Sequence, residues 1–189
     1  MSLSSLALLV LELLAEREMH PYEMRQLLLR RGRDKRIKIT PGSLYRTVER
    51  LTEDGLAEIV ETNREGRRPE RTVYAVTEAG REAFADRLRQ MLSQPAPEFP
   101  QYPIALVCMH SLTRQDALDQ LARRRAELEA EVARADVIRE RLGRDGPQPI
   151  FWIDLDYSQT IRRAELSWTT QLIDDLTSGR VDWPERAPR

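Results

Sequence analysis

The fold is decided by one stretch of the chain, Ile39-Thr40-Pro41-Gly42-Ser43-Leu44-Tyr45-Arg46-Thr47-Val48-Glu49-Arg50-Leu51-Thr52-Glu53-Asp54-Gly55. A threonine before a proline is a strong helix start, because the hydroxyl accepts a free backbone N–H and proline fits the first helical position. Leu44, Val48 and Leu51 recur on one face, which is typical of an amphipathic helix. The pattern predicts a helix over residues 41–54 that packs by one face, leaves the other open and ends at Gly55.

Two further helices are predicted ahead of this stretch. The first ends near Arg17 and has a 3.6-residue apolar period formed by Leu3, Leu6, Val10, Leu13 and Leu14. The second begins at Pro21, where a missing backbone N–H costs nothing. It stops around Gly32 and passes through Met24, Leu27 and Leu28.

A β-hairpin is predicted after the quoted stretch. Residues 56–61 and 72–76 are rich in strand formers, and the polar, turn-prone residues 62–70 lie between them. Thr77 can then cap a further helix that runs through Phe84, Leu88 and Met91. The order helix, helix, helix, strand, strand, helix is that of a winged helix-turn-helix, which we assign to residues 1–92.

The second half of the chain is predicted to be helical. Residues 93–103 contain several prolines, so we interpret them as a linker. A short apolar helix follows around residues 104–110, and a charged helix is expected over residues 113–142, broken by residues 143–149. This charged helix has a heptad seam made of Leu118, Leu121, Arg125, Leu128, Val132, Ala135, Arg139 and Leu142. A last helix carries on one face Tyr157, Ile161, Ala164, Trp168, Leu172 and Leu176.

The predicted fold class is therefore mainly α. A winged helix-turn-helix of three helices and a two-stranded wing precedes a helical, coiled-coil-like dimerisation domain over residues 104–189. The longest strongly apolar run, residues 3–14, is about half a membrane span and is interrupted by Ser4, Ser5 and Glu12. We expect no membrane span, no signal peptide and a cytoplasmic protein. The single cysteine, Cys108, lies in an apolar stretch and is expected to be a buried thiol.

The charge distribution favours a nucleic-acid partner for one part of the chain. The net charge is −1, but residues 25–71 contain 13 Lys/Arg against 8 Asp/Glu, whereas residues 91–189 contain 13 against 16. The open face of the quoted helix offers Gly42, Ser43, Arg46, Thr47 and Arg50, with Tyr45 beside the packing face. Short polar and cationic side chains of this kind suit the major groove of double-stranded DNA, and Arg46 is the best candidate for guanine. The alternative is an ordinary amphipathic helix with a solvated face.

The predicted hairpin tip adds a second cationic element. Arg64, Arg67 and Arg68 lie within five residues around Gly66, and arginine suits phosphates or a narrow minor groove. Alone, such a loop could simply be solvated; together with the helix it indicates DNA binding.

Five short motifs occur in order along residues 3–90: residues 20–24 (HPYEM), 39–45 (ITPGSLY), 50–56 (RLTEDGL), 66–68 (GRR) and 73–81 (VYAVTEAGR). In these motifs the chain resembles the PadR family of bacterial repressors. Pro21 and Arg46 depart from the family pattern, which usually has glycine and proline there, and Arg46 puts the family's base preferences in doubt. The resemblance implies homodimers on palindromic operators, repression, a helical C-terminal dimerisation domain and release by a small molecule. The residues expected to contact DNA are Tyr22, Thr40, Gly42, Ser43, Tyr45, Arg46, Thr47, Arg50, Arg64, Arg67 and Arg68.

Two features of the second half remain open at this point. The heptad seam favours a homodimer held by Leu118, Leu121, Leu128, Val132 and Leu142, together with Leu172 of the last helix, but the seam could instead form a helix pair within one chain. An aromatic or hydrophobic effector could bind near Cys108, Phe151, Trp152 and Trp168; the alternative is that these side chains only pack the core and the dimer interface.

Other classes of function find little support in the sequence. His20 and His110 belong to no recognisable metal or nucleophile motif, and there is neither a phosphate loop nor a dinucleotide fingerprint. We therefore expect no enzyme, no cofactor and no metal. His20 is most simply a helix-start or hinge residue that could touch a phosphate. A coiled-coil adaptor whose winged domain binds protein is the remaining rival, and it would lack the steep salt dependence of DNA binding.

Overall fold

A computed structural model describes residues 3–63 and 71–184 of the chain. The chain divides into two compact units, residues 1–98 and residues 99–189. In the described part of the first unit the elements are α1 (Ser5–Glu16), α2 (Pro21–Arg30), α3 (Pro41–Glu53), β1 (Ala57–Asn63), β2 (Arg71–Val76) and α4 (Glu78–Ser93). This order confirms the predicted winged helix-turn-helix, with one turn of 3₁₀-helix between α2 and α3.

The core of the first unit forms where α1 to α3 bring their apolar faces together. Helix α1 is buried over most of its length, because its apolar residues follow a helical period. Helices α2 and α3 close the core from the side and β1 and β2 from its edge. The buried side chains are Ala7, Val10, Leu11, Leu13, Leu14, Met19, Met24, Leu28, Leu44, Val48, Leu51, Ala57 and Val76.

Side-chain caps set the starts of the helices in this unit. Ser4, Thr40 and Thr77 each accept a backbone N–H three residues further on, so each hydroxyl satisfies one of the free donors of a first helical turn. His20 caps α2 through its ring nitrogen, which accepts the amide of Tyr22 two residues further on, and this confirms it as a helix-start residue. Helices α2, α3 and α4 therefore begin where the sequence indicated.

The junction of the wing with α4 is a close backbone approach. Thr77 donates its hydroxyl to the carbonyl oxygen of Gly55 at 2.7 Å and its amide to Leu56 at 3.2 Å. A Cβ on Gly80 would lie 2.0 Å from the Leu56 oxygen, so only glycine fits there. Gly55 has a φ of +71°, the left-handed conformation that ends α3. These contacts fix the position at which α3 ends and the wing begins.

The wing is an antiparallel hairpin with an additional bridge. Ala57 pairs with Val76, and the register shifts between Ile59 and Glu61, which marks a bulge. Met19, in the connection between α1 and α2, exchanges two backbone hydrogen bonds with Tyr74 at 3.1 and 3.2 Å. The outer side of β2 is therefore partly paired, a feature that the sequence did not indicate.

The described part of the second unit consists of three helices, α5 (Gln101–Cys108), α6 (Arg114–Asp145) and α7 (Ile153–Ser178), with single 3₁₀ turns after α5 and before α7. Helix α5 begins inside the stretch interpreted as linker, because Pro103 lies in its first turn, where no N–H is needed. Helix α6 continues through Gly143 and ends before Gly146-Pro147. A lone glycine weakens a helix, but proline stops it.

Helices α6 and α7 form an antiparallel hairpin within one chain. Leu121, Leu128 and Ala135 of the heptad seam are buried, and with them Thr169 and Leu176 of α7. Ion pairs run along both edges of the hairpin, joining Arg124 to Glu165, Arg139 to Asp156, Arg162 to Glu131 and Arg163 to Asp136. The inner face of the seam is therefore covered by α7 of the same chain. This corrects its assignment to a partner chain at Leu121 and Leu128.

Across residues 3–63 and 71–184, none of the helices combines the length and the apolar character that a membrane span requires.

Candidate nucleic-acid interface

Helix α3 presents its polar face to solvent, as expected from the sequence. Leu44, Val48 and Leu51 face inward and are buried. Opposite them, Gly42, Tyr45, Arg46, Glu49, Arg50 and Glu53 are exposed. The outward face is therefore mixed in charge, because two acids accompany the two arginines. Glu49 and Glu53 were not among the residues expected from the sequence at this surface, although their spacing along the helix places them on its outward face.

A reciprocal cap holds the first turn of α3. The Ser43 amide donates to the Thr40 hydroxyl oxygen at 3.1 Å, and the Thr40 amide donates to the Ser43 hydroxyl oxygen at the same distance. The Ser43 hydroxyl in turn donates to the Thr40 carbonyl oxygen at 2.9 Å. Both hydroxyls are thus engaged in the helix start. Any phosphate at this end would be bound by the remaining backbone N–H groups and not by these hydroxyls.

The other polar residues of α3 differ in how free their side chains are. Arg46 is exposed and lies back along its own helix, with its Nε donating to the Gly42 carbonyl oxygen at 3.1 Å. Thr47 is half-buried and donates its hydroxyl to the Ser43 carbonyl oxygen at 2.8 Å. Arg50 is exposed. A single exposed bond to a backbone carbonyl is weak, so Arg46 can extend outward without disturbing the fold.

Aromatic side chains flank the N-terminal end of α3. The His20 ring meets Tyr45 edge-on with centroids 6.1 Å apart, while its Nδ1 accepts the Tyr22 amide at 3.0 Å. Tyr22 is 62% exposed and Tyr45 is 41% exposed. The start of α2 and the middle of α3 therefore form one surface, with two phenol groups next to the arginines.

The base of the wing adjoins this surface through Tyr74. Burial raises the pKa of the Tyr74 phenol, and the negative charge of Glu49 and the neighbouring Tyr45 raise it further. The wing-tip residues Arg64, Arg67 and Arg68, predicted to contact DNA, lie outside the described residues.

Exposed basic residues also flank the connection between α2 and α3. Arg30, Arg36 and Lys38 are exposed there. Arg31 is instead held by Glu16 of α1, with its two terminal nitrogens 2.5 and 2.7 Å from the carboxylate oxygens. Arg31 therefore stabilises the domain, whereas Arg30, Arg36 and Lys38 are exposed to solvent.

The candidate effector residues of the second unit lie in different settings. Phe151 is exposed, whereas Trp152 is half-buried and donates its indole N–H to the Pro147 carbonyl oxygen at 3.1 Å. Trp168 packs edge-on against Tyr102 of α5. The expectation of a buried Cys108 is wrong, since the thiol is exposed. Helix α5 turns Tyr102 and Leu106 inward, which leaves Cys108 on the outer side.

Tyr102 organises the contact between α5 and the hairpin. The Arg124 guanidinium lies 3.5 Å from the centroid of the Tyr102 ring, and the Tyr102 hydroxyl is 3.4 Å from the Thr169 hydroxyl.

Among the residues that the structure describes, no group of three or more His, Cys, Asp or Glu side chains is arranged to hold a metal ion.

Residues 10–86 match the profile of the transcriptional regulator PadR-like family. The match covers α2, α3, the wing and most of α1 and α4, so it contains the surface described above. No curated protein sequence matches the chain.

Several crystal structures share the fold over most of the chain. PadR of Bacillus subtilis in complex with operator DNA has a TM-score of 0.73 at 19% identity, covering 92% of this chain and 99% of that one. The same protein in complex with p-coumaric acid has a TM-score of 0.73 at 18% identity, with coverages of 91% and 98%. The virulence activator AphA of Vibrio cholerae has a TM-score of 0.66 at 20% identity, with coverages of 92% and 99%. At these identities the likeness shows a common fold.

Proposed function

We propose that the chain is a sequence-specific DNA-binding repressor that acts as a homodimer on a palindromic operator, because residues 10–86 match the transcriptional regulator PadR-like family. The observation that carries this proposal is the outward face of α3, where Arg46 and Arg50 are exposed above a fully packed inner face. A helix of this kind enters the major groove. Bacillus subtilis PadR, which shares the fold, has been crystallised with operator DNA.

The homodimer is supported by an uncovered apolar stripe on α7. Ile153, Tyr157, Ile161 and Trp168 follow one face of this helix and are between 49% and 70% exposed. Burying such a stripe against a second copy removes apolar surface from water. A dimer also presents two recognition helices to half-sites one helical turn, ~34 Å, apart. Of the predicted dimer residues, Leu118, Val132, Leu142 and Leu172 are half-buried in the single chain.

The proposed functional parts follow the chain. Residues 1–92 would bind DNA, residues 93–103 would link, and residues 104–189 would hold the dimer and receive an effector. The effector proposal is a small aromatic or hydrophobic compound near Cys108, Phe151, Trp152 and Trp168. It is supported by the exposed aromatic surface and by the p-coumaric acid complex of Bacillus subtilis PadR. Screening phenolic compounds for thermal shift and operator release tests it; no response across a broad library would contradict it.

DNA binding is tested by measuring operator affinity as a function of salt. Genomic promoter fragments retained by the purified protein supply the operator. We expect the affinity to fall steeply as salt rises, because bound phosphates release counterions. Arg67→Ala should weaken binding to all sequences alike, since its charge would act on the backbone. Retention of no fragment, or binding that ignores salt, would instead favour the protein-binding adaptor.

The direction of regulation needs its own experiment, because AphA, with the same fold, is an activator. A reporter placed behind the retained promoter should be silent when the protein is present and active when it is absent. The opposite response would contradict repression and leave DNA binding intact.

A further inference from the structure

Glu49 is an acidic side chain within the surface proposed to read DNA. It is exposed on α3, one helical turn after Arg46 and on the side away from Leu44, Val48 and Leu51. Successive turns place these two side chains about 4.5 Å apart along the helix axis. A recognition helix in the major groove would therefore bring Glu49 to the base edges together with Arg46.

No cation in the described part of the chain neutralises Glu49. Across residues 3–63 and 71–184 its carboxylate takes part in no ion pair and no hydrogen bond. Tyr74 of the wing interacts electrostatically with Glu49, and its phenol has a raised pKa and stays neutral at physiological pH. The carboxylate is therefore left exposed for a partner.

A free carboxylate restricts which base it can face. It is repelled by phosphates, and once it leaves water it must accept a hydrogen bond. In the major groove only cytosine N4 and adenine N6 donate, and adenine places its N7 acceptor beside that donor. Guanine and thymine present acceptors at the corresponding edge. Cytosine is the base that offers a donor without an adjacent acceptor.

We propose that Glu49 is a specificity-determining residue that accepts a hydrogen bond from the N4 amino group of cytosine and disfavours other bases by repulsion. The proposal rests on the proposed DNA-binding function. The 4.5 Å spacing along α3 is close to the ~3.4 Å between base pairs, so the guanine contacted by Arg46 and the cytosine contacted by Glu49 lie in neighbouring base pairs. Repulsion between the carboxylate and the acceptor groups of other bases weakens binding to sequences that lack this cytosine. Specificity often requires such a penalty against competing sequences.

The test is selection of binding sites from random duplexes with the full chain, its Glu49→Gln variant and a matched control, Glu58→Gln. Glu58 is exposed on β1, so its variant loses the same charge away from the outward face of α3. We expect the native chain to require cytosine at one position of each half-site. Glu49→Gln should reduce that preference about tenfold and tighten binding to unrelated DNA, because glutamine can donate as well as accept and carries no charge. Glu58→Gln should retain the preference.

The possible failures are distinguishable. An operator motif selected identically by the native chain and by Glu49→Gln would overturn the role of Glu49 and leave DNA binding standing. If the native chain enriches no motif at all, the proposed function fails and the cytosine contact fails with it. A cytosine preference that Glu58→Gln removes equally would point to overall charge, which also contradicts the proposal.

Discussion

On the outward surface of α3, some side chains form hydrogen bonds within the helix, whereas others are available to a binding partner. The hydroxyls of Thr40, Ser43 and Thr47 form hydrogen bonds to backbone groups of the same helix. Arg46 makes one exposed hydrogen bond to the Gly42 carbonyl oxygen, and Arg50 is exposed. All five were expected from the sequence to contact DNA, since periodicity shows which face a residue shares but not where its hydrogen bonds go. The structure supplies that second distinction.

Arg46→Ala is expected to relax base preference. Loss of a bidentate guanine contact should cost about 1–3 kcal/mol of discrimination at one base pair, with a smaller effect on unrelated DNA. Competition binding with single-base operator variants measures it. Arg89→Ala, which removes an exposed arginine paired with Asp86 on α4, is the matched control. Equal discrimination by Arg46→Ala and the native chain would place the reading surface elsewhere.

Thr40→Ala is expected to destabilise the winged domain by about 1 kcal/mol, because the Ser43 amide loses its acceptor. Thr40→Ser keeps the hydroxyl and should keep most of the stability. Urea unfolding of the two variants measures the difference. Identical losses in both would show that the cap contributes little and that the threonine methyl group matters instead.

At the scale of elements, the start and the inward face of α3 were predictable because their determinants are local. Thr40 and Pro41 mark the start, and three leucine or valine positions mark the face. The bridge between Met19 and Tyr74 was not predictable, since it joins residues far apart in sequence and has no periodic signal. The heptad seam was visible, but its partner was not: a period shows that a helix is covered without showing which helix covers it.

The ion pair between Glu16 of α1 and Arg31 at the end of α2 makes the contact between these helices sensitive to acid. Hydrogen bonds from Arg31 outweigh burial and lower the pKa of Glu16 below its usual value. The pair therefore stabilises the fold above about pH 4, and this contribution disappears as the pH falls through the lowered pKa. Both side chains are more than one-third exposed, so the contribution is at most about 1 kcal/mol.

Glu16→Gln should therefore lower stability at pH 7, and this deficit should be smaller at pH 3. Urea midpoints at both values measure the change, and Glu18→Gln, an exposed neighbour, serves as the control. A deficit that persists undiminished at pH 3 would argue against the ion pair as its cause.

At the scale of the whole molecule, a chain of net charge −1 still carries a basic stretch. The sequence alone located that stretch in the winged domain, because charge counting needs no coordinates. It could not show which apolar surface is buried within one chain and which is left for a second copy to cover. The structure divides this surface into the inner face of the α6–α7 hairpin, which is covered, and the α7 stripe, which is not.

Ile161→Asp is expected to convert the proposed dimer to monomers, because it introduces a charge at the centre of the exposed α7 stripe. Sedimentation velocity measures the state, and operator affinity should fall with it. Ala126→Asp, on the exposed outer side of α6, should leave the dimer intact. If Ile161→Asp still sediments as a dimer, the copies meet through another face.

The two hydrogen bonds between Met19 and Tyr74 also have a consequence for the dynamics of the winged domain. Each amide is protected from exchange with deuterated water only while the α1–α2 connection and β2 stay together. Opening either segment alone is enough to expose both. The two amides should consequently exchange at matched rates, which makes the wing and the entry to the helix-turn-helix one cooperative unit instead of two.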